Sequence, residues 1–277
     1  MGDRDVTETA WFVAPEKGFT FDTTAGPVRA SGRYIRLTKP AHIAAARACR
    51  NLWEIRDPAD FGKWHDIQWV PGATPDRIAN PPDLGIGDRI PLLVGRGASG
   101  ADFMHRFPKD RYFAIGINAG VPTDAAAKYY PASDVFLVKH EDVEAVCSMD
   151  AVYAMRIGAE WLKTYRGFFI TPRECAYRCY TGANVIAYQW PWTDQKHPAR
   201  CNQSLVFAAG FLACAGYKRA VITGVDLKTS AGAENESETN RRTKTTRGLR
   251  WLESTYGIKF FNDRKSLFKE MAPVWEG

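Results

Sequence analysis

The stretch Arg89-Ile90-Pro91-Leu92-Leu93-Val94-Gly95-Arg96-Gly97-Ala98-Ser99-Gly100 decides the fold. Ile90–Val94 is a compact apolar run of the length expected for a parallel strand covered on both faces. Gly95 and Gly97 then permit a tight bend and a close approach of backbone to a ligand. Ser99 adds a hydroxyl, and N–H groups at the following helix start could hold a phosphate. The turn is not a Walker A loop, because it lacks Gly-Lys-Ser/Thr.

The alternation begun at Arg89 continues downstream. Phe113–Ile117, Asp134–Val138, Arg219–Thr223 and Ile258–Phe261 read as further strands. Val143–Tyr165, Ser204–Ala215, Thr243–Tyr256 and Ser266–Met271 read as helices, with Gly257 closing the third. Alternating strand and helix predicts an α/β domain with a mainly parallel sheet flanked by helices over residues 89–277.

Residues 1–88 read differently. Trp11–Val13, Phe19–Phe21 and Arg33–Leu37 are short strand candidates between Gly and Pro turns. Ala41–Leu52 follows Pro40 as a helix, and Asp57–Gly87 reads as loop and linker. This predicts a small α+β accessory unit.

In an open parallel sheet, ligands gather beyond the carboxyl ends of the strands. The residues there are Gly95, Arg96, Gly97 and Ser99, then Asn118, then His140 and Asp142, then Gly224 and Asp226. Asn118 offers a donor and an acceptor to a base or ribose edge, or caps the next helix. His140 and Asp142 suit acid–base work near neutral pH, or are solvated loop residues. Asp226 suits a ribose hydroxyl or a helix cap.

Composition sets the limits. The chain has 277 residues, 45% apolar and 25% charged, which excludes collagen-like, coiled-coil and wholly disordered classes. No apolar run reaches a membrane span. The polar start Met1-Gly2-Asp3-Arg4-Asp5 is unlike a secretory signal, so a cytoplasmic location is expected. The net charge of +6 is compatible with polyanionic partners without requiring them. Of six cysteines, Cys175, Cys179 and Cys201 combine with His197 as four soft ligands that could hold structural zinc. The alternative is that they are small buried residues.

Several of these segments together resemble a known family. The Gly95-x-Gly97-x-Ser99 turn, Asn118, the run from Ser204 to Gly216-Tyr217-Lys218-Arg219-Ala220-Val221-Ile222-Thr223-Gly224-Val225-Asp226, and Leu249-Arg250-Trp251-Leu252-Glu253-Ser254-Thr255-Tyr256-Gly257 look like the bacterial sialyltransferases of glycosyltransferase family 42. They also resemble that family's wider DUF115-type relatives, some of them phage-borne. The similarity covers roughly residues 89–277. It implies a Rossmann-like GT-A fold, a cytidine-monophosphate sugar donor as co-substrate, and no metal or other cofactor. The donor would lie against Gly95, Arg96, Gly97, Ser99 and Gly224, with Asn118 and Ser204 touching the nucleotide.

The family's turn is usually Gly-Asn-Gly-Pro-Ser, where this chain has Arg96 and Ala98. Its general base is a histidine in a lid that would here be Lys228–Arg247, a segment without histidine. Either His140, Asp142 or Asp226 then takes that role, or the acceptor needs little activation, or the chain only binds a nucleotide. Three functions follow as expectations. One is sugar transfer from a nucleotide donor to a saccharide hydroxyl. Another is transfer to a DNA base, with Tyr188-Gln189-Trp190-Pro191-Trp192 as an aromatic wall. The last is nucleotide binding without catalysis.

Overall fold

The computed structural model describes residues 8–14, 18–31, 34–55, 64–118, 138–149, 165–176, 183–192, 194, 196–200, 203–226, 238–266 and 268–277. Its centre is an eight-stranded, wholly parallel sheet. Strands are numbered along the chain. β1 (Ala10–Val13), β4 (Tyr34–Leu37) and β5 (Trp53–Ile55) form a separate antiparallel sheet, and β2 (Thr20–Phe21) pairs with β3 (Val28–Arg29). The large sheet contains β6 (Trp64–Asp66), β7 (Ile90–Val94), β8 (Tyr112–Ile117), β9 (Ala145–Cys147), β10 (Phe168–Thr171), β11 (Asn184–Ala187), β12 (Arg219–Thr223) and β13 (Lys259–Asn262). Their spatial order is β13-β12-β7-β8-β9-β10-β11-β6. This is the α/β architecture with a parallel sheet read from the alternation; it is Rossmann-like, with small antiparallel sheets before it.

β7 and β8 are buried at every position, because both faces are covered. Successive side chains alternate between two cores. Leu93, Phe113, Ile115 and Ile117 point to the face covered by α2 (Ser204–Cys214) and α3 (Glu238–Tyr256). Leu92, Val94, Tyr112 and Ala114 point to the other face, against Phe103, Phe107 and Tyr165. α2 is buried from Leu205 to Cys214, so it is apolar all round and sits inside the layer. α1 (Pro40–Ala48) packs Ile43 and Ala46 into a third core with Phe12, Phe21 and Ile35.

Several boundaries differ from the sequence reading. β6 lies in the segment read as linker and pairs with β11, and Ile78, Leu84 and Ile86 from the same segment join the main core. This segment lacks periodicity because it supplies one short edge strand and isolated anchors. β10 and β11 are short apolar runs not anticipated as strands. The expected strand Asp134–Val138 lies outside the described residues except for Val138. The strand beside β8 is Ala145–Cys147, within the stretch read as the helix Val143–Tyr165. The expected helix at Ser266–Met271 is a single 3-10 turn, Lys269–Met271.

Candidate functional site

The chain passes from β7 outward through β8 to β11, then returns to place β12 on the other side of β7. The carboxyl edge between β7 and β12 is therefore the switch point, where open α/β sheets gather their ligands.

The glycine turn after β7 closes against the turn after β12. Gly95 N–H donates to the Thr223 carbonyl at 2.8 Å, and Gly97 N–H donates to the Gly224 carbonyl at 2.7 Å. A Cβ on Gly95 would stand 2.3 Å from the Gly224 oxygen. Gly95, Gly97 and Gly100 have Gly-x-Gly-x-x-Gly spacing, yet no long helix follows. The chain makes a 3-10 turn at Ala98–Gly100 and one helical turn at Phe103–Arg106. The Gly97 and Ser99 N–H groups are spent inside the protein, so those two are not offered to a phosphate.

Asp226 takes the Ser99 groups. Its Oδ2 accepts the Ser99 N–H at 2.9 Å, and its Oδ1 accepts the Ser99 hydroxyl. Asp226 is 4% exposed and Ser99 8%. This carboxylate locks the turn after β7 to the turn after β12. Asp226→Ala is expected to cost about 2–3 kcal/mol, because the Ser99 N–H and hydroxyl both lose their acceptor. Urea unfolding checks this, and a loss below about 0.5 kcal/mol would refute the lock.

A second buried network extends the first. Arg106 Nη2 donates to the Ser99 and Ala101 carbonyls at 2.8 and 2.9 Å, and its Nη1 pairs with Asp263. Asp263 also accepts the Thr223 hydroxyl at 2.7 Å. Burial pulls the Arg106 guanidinium below its ordinary pKa, against the opposing pull of Asp102. Neither Arg106 nor Asp263 was singled out from the sequence. Asp263 follows β13 at the same edge, so the rule that selected Asn118 and Asp226 would have found it. Arg106 lies beyond the turn and gave no signal.

On the other side of β7, Asn118 ends β8 with φ +54°, a left-handed conformation that asparagine tolerates. Its N–H donates to the Cys147 carbonyl at 3.0 Å. The Ser204 hydroxyl, at the first position of α2, donates to Asn118 Oδ1 at 3.4 Å and accepts the Met149 N–H at 3.4 Å. Asn118 and Ser204 therefore meet. The Asn118 amide nitrogen takes no acceptor among the described residues. Arg96 and Gly97 are partly buried beside this edge, while Gly224 is buried.

His140 and Asp142 are not at this edge. They form a 3-10 turn that leads into β9, so they precede a strand instead of following one. Glu144, just after them, accepts the Ala114 N–H and pairs with Arg89, which precedes β7. The whole of β9, about 10 Å, separates them from the carboxyl edge. Reading Ala145–Cys147 as part of a helix hid the strand that they precede.

The aromatic segment is also reassigned. Tyr188 is fully buried and packs on Phe207 and Phe211 of α2 at 4.9 and 5.5 Å between ring centroids. Trp192 is 8% exposed and meets Trp251 of α3 at 5.0 Å. These two rings pin the helices to the sheet, while Trp190 between them is partly buried.

His197 stacks on Trp192 at 4.9 Å with its plane parallel to within 2°, and its Nδ1 accepts the Ala199 N–H at 3.2 Å. Burial lowers its pKa, with Asp194 and Asp76 opposing. Of the zinc candidates, Cys175 is buried, whereas Cys179 and Cys201 lie outside the described residues. Among the described residues no group of three or more His, Cys, Asp or Glu side chains is placed to hold a metal ion. Cys49, Cys147 and Cys214 are free thiols, and burial pushes the Cys214 thiol up to about 11.

The segment read as a lid, Lys228–Arg247, is helical from Glu238 onward, and residues 228–237 lie outside the described set. Arg242 reaches back from α3 to the Asp226 carbonyl at 3.3 Å, and its guanidinium lies 4.9 Å from the Phe268 ring centroid. Beyond it, Thr243, Thr246, Arg247 and Arg250 line a groove of about 470 Å³ whose other wall is Phe268 and Glu270.

No protein-family model matches this chain, and no curated protein matches it. Among solved structures, the sialyltransferase CstII from Campylobacter jejuni, in complex with the substrate analogue CMP-3FNeuAc, is similar with a TM-score of 0.40 and 14% identity. The match covers 67% of this chain and 86% of that one. The likeness is distant. Among the described residues no helix is long and apolar enough to cross a membrane.

Proposed function

We propose that this chain is a glycosyltransferase-like enzyme that takes a CMP-linked sugar as donor and transfers the sugar to a saccharide hydroxyl. The observation that carries this reading is the meeting of Asn118 and Ser204. The family resemblance assigns both to the nucleotide, they are far apart in the chain, and they come within hydrogen-bond reach beside the switch point.

The chemistry follows from that placement. The Asn118 amide nitrogen faces a ligand acceptor such as a base carbonyl. The first-turn N–H groups of α2 lack intrahelical partners and favour the donor phosphate. In transfer, the bond from the sugar carbon to the phosphate oxygen breaks and CMP leaves with the electron pair. The acceptor oxygen bonds to that carbon and gives up its proton. Of the three base candidates, only Asp226 shares this edge, and its oxygens are engaged by Ser99. In this reading Asp226 positions the turn, and no metal is assigned.

Millimolar CMP is expected to raise the melting temperature by several degrees. A ligand at a hundredfold its Kd adds about 2.7 kcal/mol. Asn118→Ala is expected to weaken CMP roughly tenfold, the worth of one hydrogen bond in a ligand site. A response to UDP, GDP or ADP but not CMP would overturn the donor assignment. No response to any nucleotide would overturn the reading altogether. CMP binding with no turnover of a CMP-sugar would favour a non-catalytic module, which the engaged state of Asp226 and the distant placement of His140 and Asp142 also support.

A further inference from the structure

We propose that the groove along α3 binds the phosphate group of a small phosphate ester, and so makes this protein's acceptor a phosphorylated saccharide. The second half of that statement rests on the transferase reading above, whereas the first half stands on the groove alone.

Thr243, Thr246, Arg247 and Arg250 are spaced three and four residues apart, so they form one stripe of α3. Opposite them stand Phe268 and Glu270. Arg247 and Arg250 are exposed, and neither makes an ion pair or hydrogen bond among the described residues. Two like charges three residues apart on a helix repel each other. An anion between them converts that repulsion into attraction.

Arg242 is already committed, with its guanidinium between the Asp226 carbonyl and the Phe268 ring. It therefore shapes the inner wall and adds a fixed positive charge. Three guanidiniums face one carboxylate, so the groove is net positive. The Thr246 hydroxyl beside two planar donor forks suits a tetrahedral oxyanion with several acceptor oxygens. A volume of about 470 Å³ lies in the range of small-molecule sites and leaves room for a sugar beside Glu270, whose carboxylate can accept a sugar hydroxyl.

The groove also has the right neighbour. Arg242 spans from it to Asp226, whose carboxylate holds the turn at the switch point. Asn118 and Ser204 lie across β7 from that contact. Donor and phosphorylated acceptor would thus approach the same edge from opposite sides.

The test titrates glucose 6-phosphate, glucose, inorganic phosphate and a short single-stranded oligonucleotide into the native protein by calorimetry at two salt concentrations. The same titrations follow for Arg247→Gln/Arg250→Gln and Arg247→Lys/Arg250→Lys. These positions are exposed, and the melting temperature confirms that each variant is folded. Glucose 6-phosphate is expected to bind, glucose is not, and the Gln pair is expected to lose at least about tenfold while the Lys pair recovers part of it. Equal binding by the native protein and the Gln pair would overturn the groove. So would a preference for the oligonucleotide with a steep salt dependence. CMP stabilisation is expected to be unchanged in the Gln pair, and its loss would overturn the separation of the two sites. If the native protein ignores CMP but binds glucose 6-phosphate through these arginines, the donor reading fails and the phosphate groove stands.

Discussion

Asp263→Ala is expected to destabilise the protein by about 3–5 kcal/mol, the range for breaking a buried ion pair by removing one partner. Asp263 is 6% exposed and holds Arg106, the Thr223 hydroxyl and the Lys265 N–H. Its loss leaves the Arg106 charge partly buried, hydrogen-bonded only to carbonyls, with Asp102 the more distant counter-charge. Those carbonyls belong to Ser99 and Ala101, so the glycine turn loosens as well. Urea unfolding should show a lower midpoint with little change in slope. Arg106→Met combined with Asp263→Leu should cost much less, because no charge is then stranded. A single-variant loss below about 1 kcal/mol would show that the pair does not hold the edge together.

Gly224→Ala should be nearly as severe, for a different reason. Gly224 has φ +66°, which costs a residue with a Cβ about 1–2 kcal/mol. That Cβ would also stand 2.4 Å from the Gly95 carbonyl oxygen, and overpacking of this kind typically costs about 1–3 kcal/mol more. Gly257→Ala separates the two effects. Gly257 has φ +70° with nothing near its missing Cβ, so only the backbone cost applies. Equal losses for the two variants in thermal unfolding would contradict the close approach of the two turns. Gly224→Ala is further expected to weaken CMP, because the turn after β7 and β8 beside it share the displaced edge.

The fold was legible where a strand is long and covered on both faces. Ile90–Val94 stands out because every position is apolar, Arg219–Thr223 because every position after Arg219 is apolar or small, and Ser204–Cys214 because a helix apolar all round has only one place to go. Ala145–Cys147 was hidden for the same physical reason in reverse. Three residues carry too little pattern to compete with the longer helical periodicity around them. That one misreading moved His140 and Asp142 across the sheet. At the site, Asn118 and Ser204 were legible as polar groups at element ends. What the glycines touch was not legible, since Gly95 and Gly97 would look the same whether a phosphate or another turn lay against them. The role of Asp226 was open for a related reason. A carboxylate after a strand can serve a ligand or a neighbouring loop, and only the partner 127 positions away in the chain decides between them.

The order of strands has a consequence for how the molecule is made. β6 is the first strand of the large sheet to leave the ribosome, yet Trp64 must wait for Val185 before it has a neighbour. β12 and β13, synthesised last, sit beside β7 near the opposite margin. The middle of the sheet can assemble as it emerges, but its outer strand joins only after most of the chain exists. Non-local pairing of this kind slows folding and prolongs exposure of the β11 margin. A newborn chain that stalls before β11 would carry an unpaired strand with no docking place, and such nascent intermediates are the ones a chaperone would meet.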